Sequence, residues 1–412
     1  MNISLNIITK SGYHILSQIL YSGRSFLLGV LMARILSKED FGIYAMIAIG
    51  LLNLILVLNT IVYEPYAYIQ NTSDNNNKFI FTYFCIKQAV INLAVIILLI
   101  IFSFFKAAGK QSSLIYIIVI YYTIVQIFML IRNRELVALR PGRVLKFELI
   151  VSAALAGLLF ILVFLYKADI ELKNILVIIS LSFLPVIIYS GFWKNIFLYK
   201  ISDININIKK TYRKFTEKNI LFLLFGFLST HLNSYVIFFF LGSGNLANCE
   251  AARLINIPLH VFGMALGTIL LPYFSKNSSH LNLKNNISRF RLIFVMSGAF
   301  YAVFTFLIII FGPWLLEFFF GNKYAGQTPL VILFTILYAV DGVTIVVISY
   351  IKANDQLASA IIIRIITVIV NIGLLMPLLY YYKETGGIAA RLGAGIFITT
   401  GLIFLLYKKK LL

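Results

Sequence analysis

The chain has 412 residues, 61% of them hydrophobic and only 12% charged, with a mean hydropathy of +0.94. These figures exclude a water-soluble globular fold, and apolar runs of about 20 residues recurring from end to end exclude a β-barrel, whose strands alternate in short segments. The formal charge of +20 suggests nucleic acid only until the basic residues are placed. Most of them lie in short loops between apolar runs, which is the pattern of membrane topology and not of a nucleic-acid surface.

Taken in order, the runs predict twelve transmembrane helices, so the fold class is all-α and polytopic. The first six are expected at 15–36, 42–69, 79–105, 113–138, 146–166 and 174–199. The second six are expected at 218–241, 247–273, 291–311, 327–351, 357–382 and 386–407. A basic linker, 200–217, carries the KKTYRK string and separates a first lobe, 1–199, from a second, 218–412. A weak internal repeat supports that division: FGIYAMIAIG and YEPYAYIQN in span two parallel NCEAARLIN and LLPYFSKN in span eight. An even number of spans puts both termini on one side, and the Lys and Arg bias makes that side cytoplasmic. No cleavage-site layout follows the N-terminus, so the first span is expected to be retained.

Polar residues inside spans mark the faces that do not meet lipid, because a charge deep in hydrocarbon costs at least about 2.5–3.5 kcal/mol. Arg24 lies about ten residues into span one, on a side shared with Ser17, Tyr21 and Ser25. Lys87 marks span three and Asn233 marks span seven. In span eight Arg253, Asn256, His260, Gly263 and Gly267 recur at helical spacing, which predicts one stripe on one helix. Its glycines suit close helix packing. Arg364 shares a face of span eleven with Thr367 and Asn371. Two carboxylates, Glu64 and Asp341, are expected as counter-charges or as sites coupling H+ or Na+. Arg34, Arg132, Arg134, Lys194 and Lys352 fall near span ends, where long cationic side chains reach headgroups.

Chemistry is not indicated. No phosphate-loop, zinc-protease or nucleophile-elbow motif occurs, and the four histidines are scattered, so no enzyme activity, cofactor or metal is expected. Cys85 and Cys249 are isolated and apolar in setting, as packing residues are. Several mid-membrane cations without matching anions predict a positive cavity and an anionic ligand. Arginine suits a diphosphate in particular, because its planar fork donates bidentate hydrogen bonds.

Three stretches carry a resemblance. AARL, IP and GMALGTILLP in span eight resemble the eighth helix of lipid II flippases and their polysaccharide-exporting relatives. LLGVLMARILSKEDFGIYAMIAI resembles the opening of O-antigen and other polysaccharide flippases. GPWLLEFFFGNKYAGQTPLVIL, YIKANDQ and KETGGIAARLGAG resemble that family's tenth to twelfth spans. The matches run from about Ser11 to Leu406, in register with all twelve spans. One departure is Arg391, which stands where the family more often has a small residue.

The family belongs to the multidrug/oligosaccharidyl-lipid/polysaccharide exporter superfamily, so the resemblance implies two six-helix lobes around a central cavity. It also implies a flippase carrying undecaprenyl-diphosphate-linked oligosaccharide across the bacterial inner membrane, without nucleotide hydrolysis. The substrate would be met by Arg24, Arg253, Arg364, Lys87, Asn233, Asn256 and His260, with Glu64 or Asp341 coupling to H+ or Na+. The expected partners are that substrate and membrane lipids, with no nucleic acid. A monomer is expected, associated with other polysaccharide-assembly proteins. The rival readings are a polymerase or ligase of the same pathway, which would need a large outward loop, and a multidrug antiporter. Members of the latter group share an acidic residue in the first span, where this chain has Arg24.

Overall fold

The computed structural model describes residues 2–63, 65–66, 84–97, 112–138, 140–165, 171–191, 206–276, 283–354 and 357–409. Among these the secondary structure is helical, with no strand. Nine of the described helices are long and apolar enough to cross a membrane, and Phe84–Ile97 and Ile257–Gly267 are shorter apolar ones. The all-α polytopic class holds. Glu64 and Lys194 lie outside the described residues, as do the described helices' flanks at 98–111 and 192–205.

The chain divides into two compact units: Met1–Leu27 with Ile47–Leu223, and Leu28–Met46 with Leu224–Leu412. The first contains most of α1 (Asn2–Ile35) and of α2 (Lys38–Leu58), with α3 (Phe84–Ile97), α4 (Ser112–Val137), α5 (Pro141–Leu165) and α6 (Leu172–Tyr189). Both α4 and α5 pack on α6, where the rings of Phe128 and Phe183 lie 4.8 Å apart above buried Ile175, Leu176 and Val186. A π-helical turn, Asn59–Tyr63, continues α2 and stops just short of Pro65, which has no N–H to extend the ladder. Tyr63 donates to the Gln88 side-chain oxygen at 2.8 Å, and Gln88 donates to the Gln126 carbonyl at 3.1 Å. That chain of polar contacts ties α2, α3 and α4 together without exposing an amide to lipid.

The second unit holds the later part of α7 (Ile206–Leu241), with α8 (Ser243–Ile255), α9 (Ile257–Lys276), α10 (Leu283–Phe320), α11 (Thr328–Ala353) and α12 (Leu357–Lys408). At its centre is α11, which packs against α8, α9, α10 and α12. Tyr350 on α11 stacks on Phe290 at 4.5 Å and meets Phe274 edge-on at 5.2 Å, inside a core shared with Leu270, Val347 and Leu402. The two last predicted spans are one helical run broken at Lys383, which has φ 51° and ψ −134°. The run folds back on itself. Cβ atoms added to Gly387, Gly393 and Gly401 would meet Leu379, Leu374 and Ile363, and one on Gly386 would strike the Leu378 carbonyl. Glycines let the two arms touch, which is how helices associate where no water drives them together.

The corner between α1 and α2 also belongs to this unit. Ser37 caps α2 by accepting from the Asp40 amide at 3.0 Å. Arg34 donates to the carbonyls of Phe319, at 2.6 Å, and Phe318, at the end of α10. Lys323 donates in turn to the carbonyls of Ala33, at 3.1 Å, and Leu36, at the end of α1. Each helix end thus receives the cation of the other, satisfying carbonyls that have no partner within their own helix. Arg34 was expected to reach headgroups; the carbonyls of α10 hold it instead. Gly42 sits so close to the backbone of Ser243 that a Cβ there would collide with it.

Candidate functional site

The predicted site residues fall into two groups. In the first unit Arg24 extends from α1 to Glu148 on α5 at 2.8 Å, and Arg132 on α4 reaches the same carboxylate at 2.9 Å. The Glu148 side chain is fully buried, while those of the two arginines are 9% and 11% exposed. The Tyr21 ring lies 5.5 Å from the Arg24 guanidinium carbon and 5.3 Å from that of Arg132, and Phe183 lies 5.8 Å from Arg24. Aromatic faces replace part of the hydration that burial removes from the cations. Arg132 was expected to snorkel and is instead part of this cluster. Lys87, on α3, is half-buried.

Sequence reading missed Glu148 because span five was started at 146, putting the residue at the membrane edge. The helix begins at Pro141, so Glu148 lies two turns inside it. The same error hid Glu250, since α8 begins at Ser243. The expectation of cations without matching acids is therefore corrected. Arg24, Arg253 and Arg391 each have a carboxylate partner, at 2.8, 2.6 and 3.3 Å.

The second group lies on α8, α9, α11 and α12. Arg253 donates to Glu250 at 2.6 Å. The ring of His260 lies 5.0 Å from that of Tyr338. One turn further along α11, Asp341 accepts from Arg391 at 3.3 Å, and Arg364 is within electrostatic reach of the same carboxylate. Asn248 donates to Glu384 at 3.2 Å nearby on α8. Three arginines, three carboxylates, a histidine and a tyrosine thus belong to one helical unit, some buried and some partly exposed.

The proposed single stripe in span eight does not form on one helix. The run breaks at Asn256, whose ψ of 1° ends α8 before Ile257–Pro258, because Pro258 cannot donate back into the preceding turn. Asn256 is fully buried and engaged there: it donates to Ala252 and Val331 carbonyls at 3.2 and 3.1 Å and accepts from Thr335 at 2.7 Å. Asn233 is similarly engaged, donating to the Gly387 carbonyl at 2.7 Å and exchanging hydrogen bonds with Asn371. It fastens α7 to both arms of α12. Gly263 and Gly267 face Tyr301 and Ile345, at 2.9 Å from where their Cβ atoms would be, so they serve close packing.

A separate cleft of about 530 Å³ lies among α10, α11 and the second arm of α12, lined by Tyr301, Phe306, Val343 and Thr399 with other mostly apolar groups. None of the predicted site residues lines it. Cys85 and Cys249 are free and buried, and no group of three His, Cys, Asp or Glu side chains is placed to hold a metal among the described residues.

No protein-family model matches the chain, and no curated protein sequence does. Solved structures do resemble it. An inward-facing multidrug-resistance MATE family transporter of the MOP superfamily matches with a TM-score of 0.71 at 14% identity, over 94% of this chain and 93% of its own. The lipid II flippase MurJ, in an inward closed conformation, matches with a TM-score of 0.67 at 17% identity, over 97% and 87%. A MOP superfamily transporter from Pyrococcus furiosus, described as having a binding pocket of reversed polarity, matches with a TM-score of 0.65 at 12% identity, over 98% and 95%. At these identities the likeness establishes a shared fold, that of a multi-pass helical membrane protein.

Proposed function

We propose that this protein is a flippase that moves an undecaprenyl-diphosphate-linked oligosaccharide from the cytoplasmic to the outer leaflet of the bacterial inner membrane. The observation that carries this reading is the cluster in the first unit, where two buried arginines share one carboxylate. One positive charge is left over inside a helical membrane protein, where it is costly unless a ligand uses it. A diphosphate headgroup supplies the complementary charge, and the guanidinium fork gives it bidentate hydrogen bonds. The fold shared with MurJ, a lipid II flippase, supports the same reading.

In this reading Arg24 and Arg253 are diphosphate contacts, with Arg364, Lys87 and His260 as further polar contacts and Glu64 or Asp341 as the site of coupling to H+ or Na+. Asn233 and Asn256 contribute by holding the helices that carry the charged groups. Transport proceeds by alternating access between lobes 1–199 and 218–412 and draws on an ion gradient or the membrane potential. The protein acts as a monomer alongside other polysaccharide-assembly proteins, with both termini in the cytoplasm.

Deleting the gene in its host and examining the lipid-linked glycan pool tests the substrate. Single repeat units trapped in the inner leaflet are expected. Units already exported but unpolymerised would indicate a polymerase, and an unchanged pool with altered drug sensitivity would indicate an antiporter. Topology is tested by external labelling in a background without Cys85 and Cys249: Gly244→Cys should react and Asn207→Cys should not. The reverse pattern would invert the orientation.

A further inference from the structure

We infer that the turn between α4 and α5 is a binding site for the headgroup of an anionic phospholipid, built from Arg134, Arg140 and Arg143 around the buried carboxylate of Glu135. The site lies wholly in the first unit and needs only the membrane fold, so it does not rest on the flippase reading.

Its place comes from the two helices. α4 ends at Val137 and α5 opens at Pro141, and both are long and apolar enough to cross a membrane. The turn between them therefore sits where a bilayer carries its headgroups. Backbone hydrogen bonds fix that turn: the Arg140 amide donates to the Glu135 carbonyl at 2.9 Å, and the Arg143 amide donates to the Arg140 carbonyl at 3.1 Å. Pro141 starts α5 at a position where its missing N–H costs nothing. Arginines from the end of one helix, from the turn and from the start of the next are thus brought to one acid.

The contacts are electrostatic. Glu135 lies 4.0 Å from Arg134, 3.9 Å from Arg140 and 3.6 Å from Arg143, all longer than hydrogen bonds. Its Oε2 atom has no hydrogen-bond partner. The Glu135 side chain is 6% exposed, whereas those of Arg140 and Arg143 are 56% and 60% exposed. The acid gathers the guanidinium groups without occupying the forks of Arg140 and Arg143. The cluster around Glu148 is built differently, with buried arginines at 2.8 and 2.9 Å from the carboxylate.

Three cations around one anion leave two positive charges in excess, and Lys146, exposed one turn beyond Arg143 on α5, adds another. A phosphodiester headgroup complements that charge, and its oxygens accept from the arginine forks while its chains lie in hydrocarbon beside α4 and α5. A zwitterionic headgroup fits less well, because it brings a cation of its own into a basic setting. Glu135 separates a built site from a merely basic surface. On a basic surface an acid only subtracts from the attraction; here it holds the arginines in place.

The experiment uses the full-length protein in detergent, with short-chain phosphatidylglycerol, short-chain phosphatidylcholine and inorganic phosphate as probes and binding read by native mass spectrometry. Wild type should bind phosphatidylglycerol more tightly than phosphatidylcholine and should retain it against an equal concentration of inorganic phosphate. Arg140→Ala/Arg143→Ala should weaken phosphatidylglycerol binding by about fivefold for each arginine removed. Arg143→Lys should lose less than Arg143→Ala, since it keeps the charge without the fork. Glu135→Gln should also weaken binding, although it makes the turn more positive. Arg289→Ala/Arg291→Ala removes the same charge from exposed positions at the start of α10 and should leave binding unchanged. If Glu135→Gln strengthens binding, or the two double variants weaken it equally, the attraction is diffuse and the site is overturned. Equal affinity for phosphatidylcholine, or displacement by inorganic phosphate, overturns the anionic lipid as its ligand. Arg140 and Arg143 are exposed, so their double variant decides the matter even where Glu135→Gln fails to fold. None of the probes is the transported lipid, so a failure here leaves the flippase reading standing.

Discussion

The two units bury arginine in opposite ways. In the first, one fully buried carboxylate is gripped by two arginines at 2.8 and 2.9 Å, with aromatic rings closing around them. In the second, Arg253 and Arg391 each meet an acid of their own, and the pairs grade from the tight Arg253–Glu250 contact to the longer, more accessible Arg391–Asp341 contact. The difference separates an acid locked between its cations from an acid that is partly exposed. A buried acid between two cations cannot leave without stranding both.

The largest expected effect tests the rigid side of that comparison. Glu148→Ala removes the shared counter-charge and leaves Arg24 and Arg132 to repel one another inside the unit. A loss of about 3–5 kcal/mol is expected from an uncompensated buried pair, seen as collapse of the folded yield and of the melting temperature in detergent. A near-normal melting temperature would show that the arginines are already solvated. Asp341→Asn, by contrast, should melt within a few degrees of wild type.

Next come Arg24→Ala and Arg253→Ala, which should abolish or strongly reduce surface glycan while membrane protein levels remain close to normal. Arg24→Ala still leaves Glu148 paired with Arg132, so its stability cost is smaller than that of Glu148→Ala. Lysine should rescue either site only partly, since it keeps the charge and loses the fork. Aspartate should be worse than alanine. Export at wild-type rates by both alanine variants would place the diphosphate contact elsewhere.

A smaller effect isolates packing from charge. Gly386→Ala drives a Cβ into the Leu378 carbonyl, so the arms of α12 must part. A cost of about 1–3 kcal/mol is expected for such overpacking, seen as a lowered melting temperature in detergent. The smallest effect belongs to Arg34→Ala, which uncaps α10 at a cost of about 0.3–1 kcal/mol. Arg34 is exposed, so high salt should shrink the difference further.

Hydrophobic run length was enough to reveal the class of fold and to place helices close to where they lie, because the bilayer demands about 20 apolar residues per crossing and tolerates no unpaired backbone. The same logic made Arg24, Arg253 and Asp341 visible, since a charge within such a run stands out against its neighbours. Helix starts were less legible. Pro141 and Ser243 open helices several residues before the hydrophobic signal begins, and Glu148 and Glu250 were lost in that margin. Partnership was not legible at all. Arg24 meets an acid 124 positions away and Arg391 one 50 positions away. Residues far apart in sequence become counter-ions only when helices pack, so the charge of an interior is decided by tertiary structure, while the apolar periods that build it are written locally along the chain.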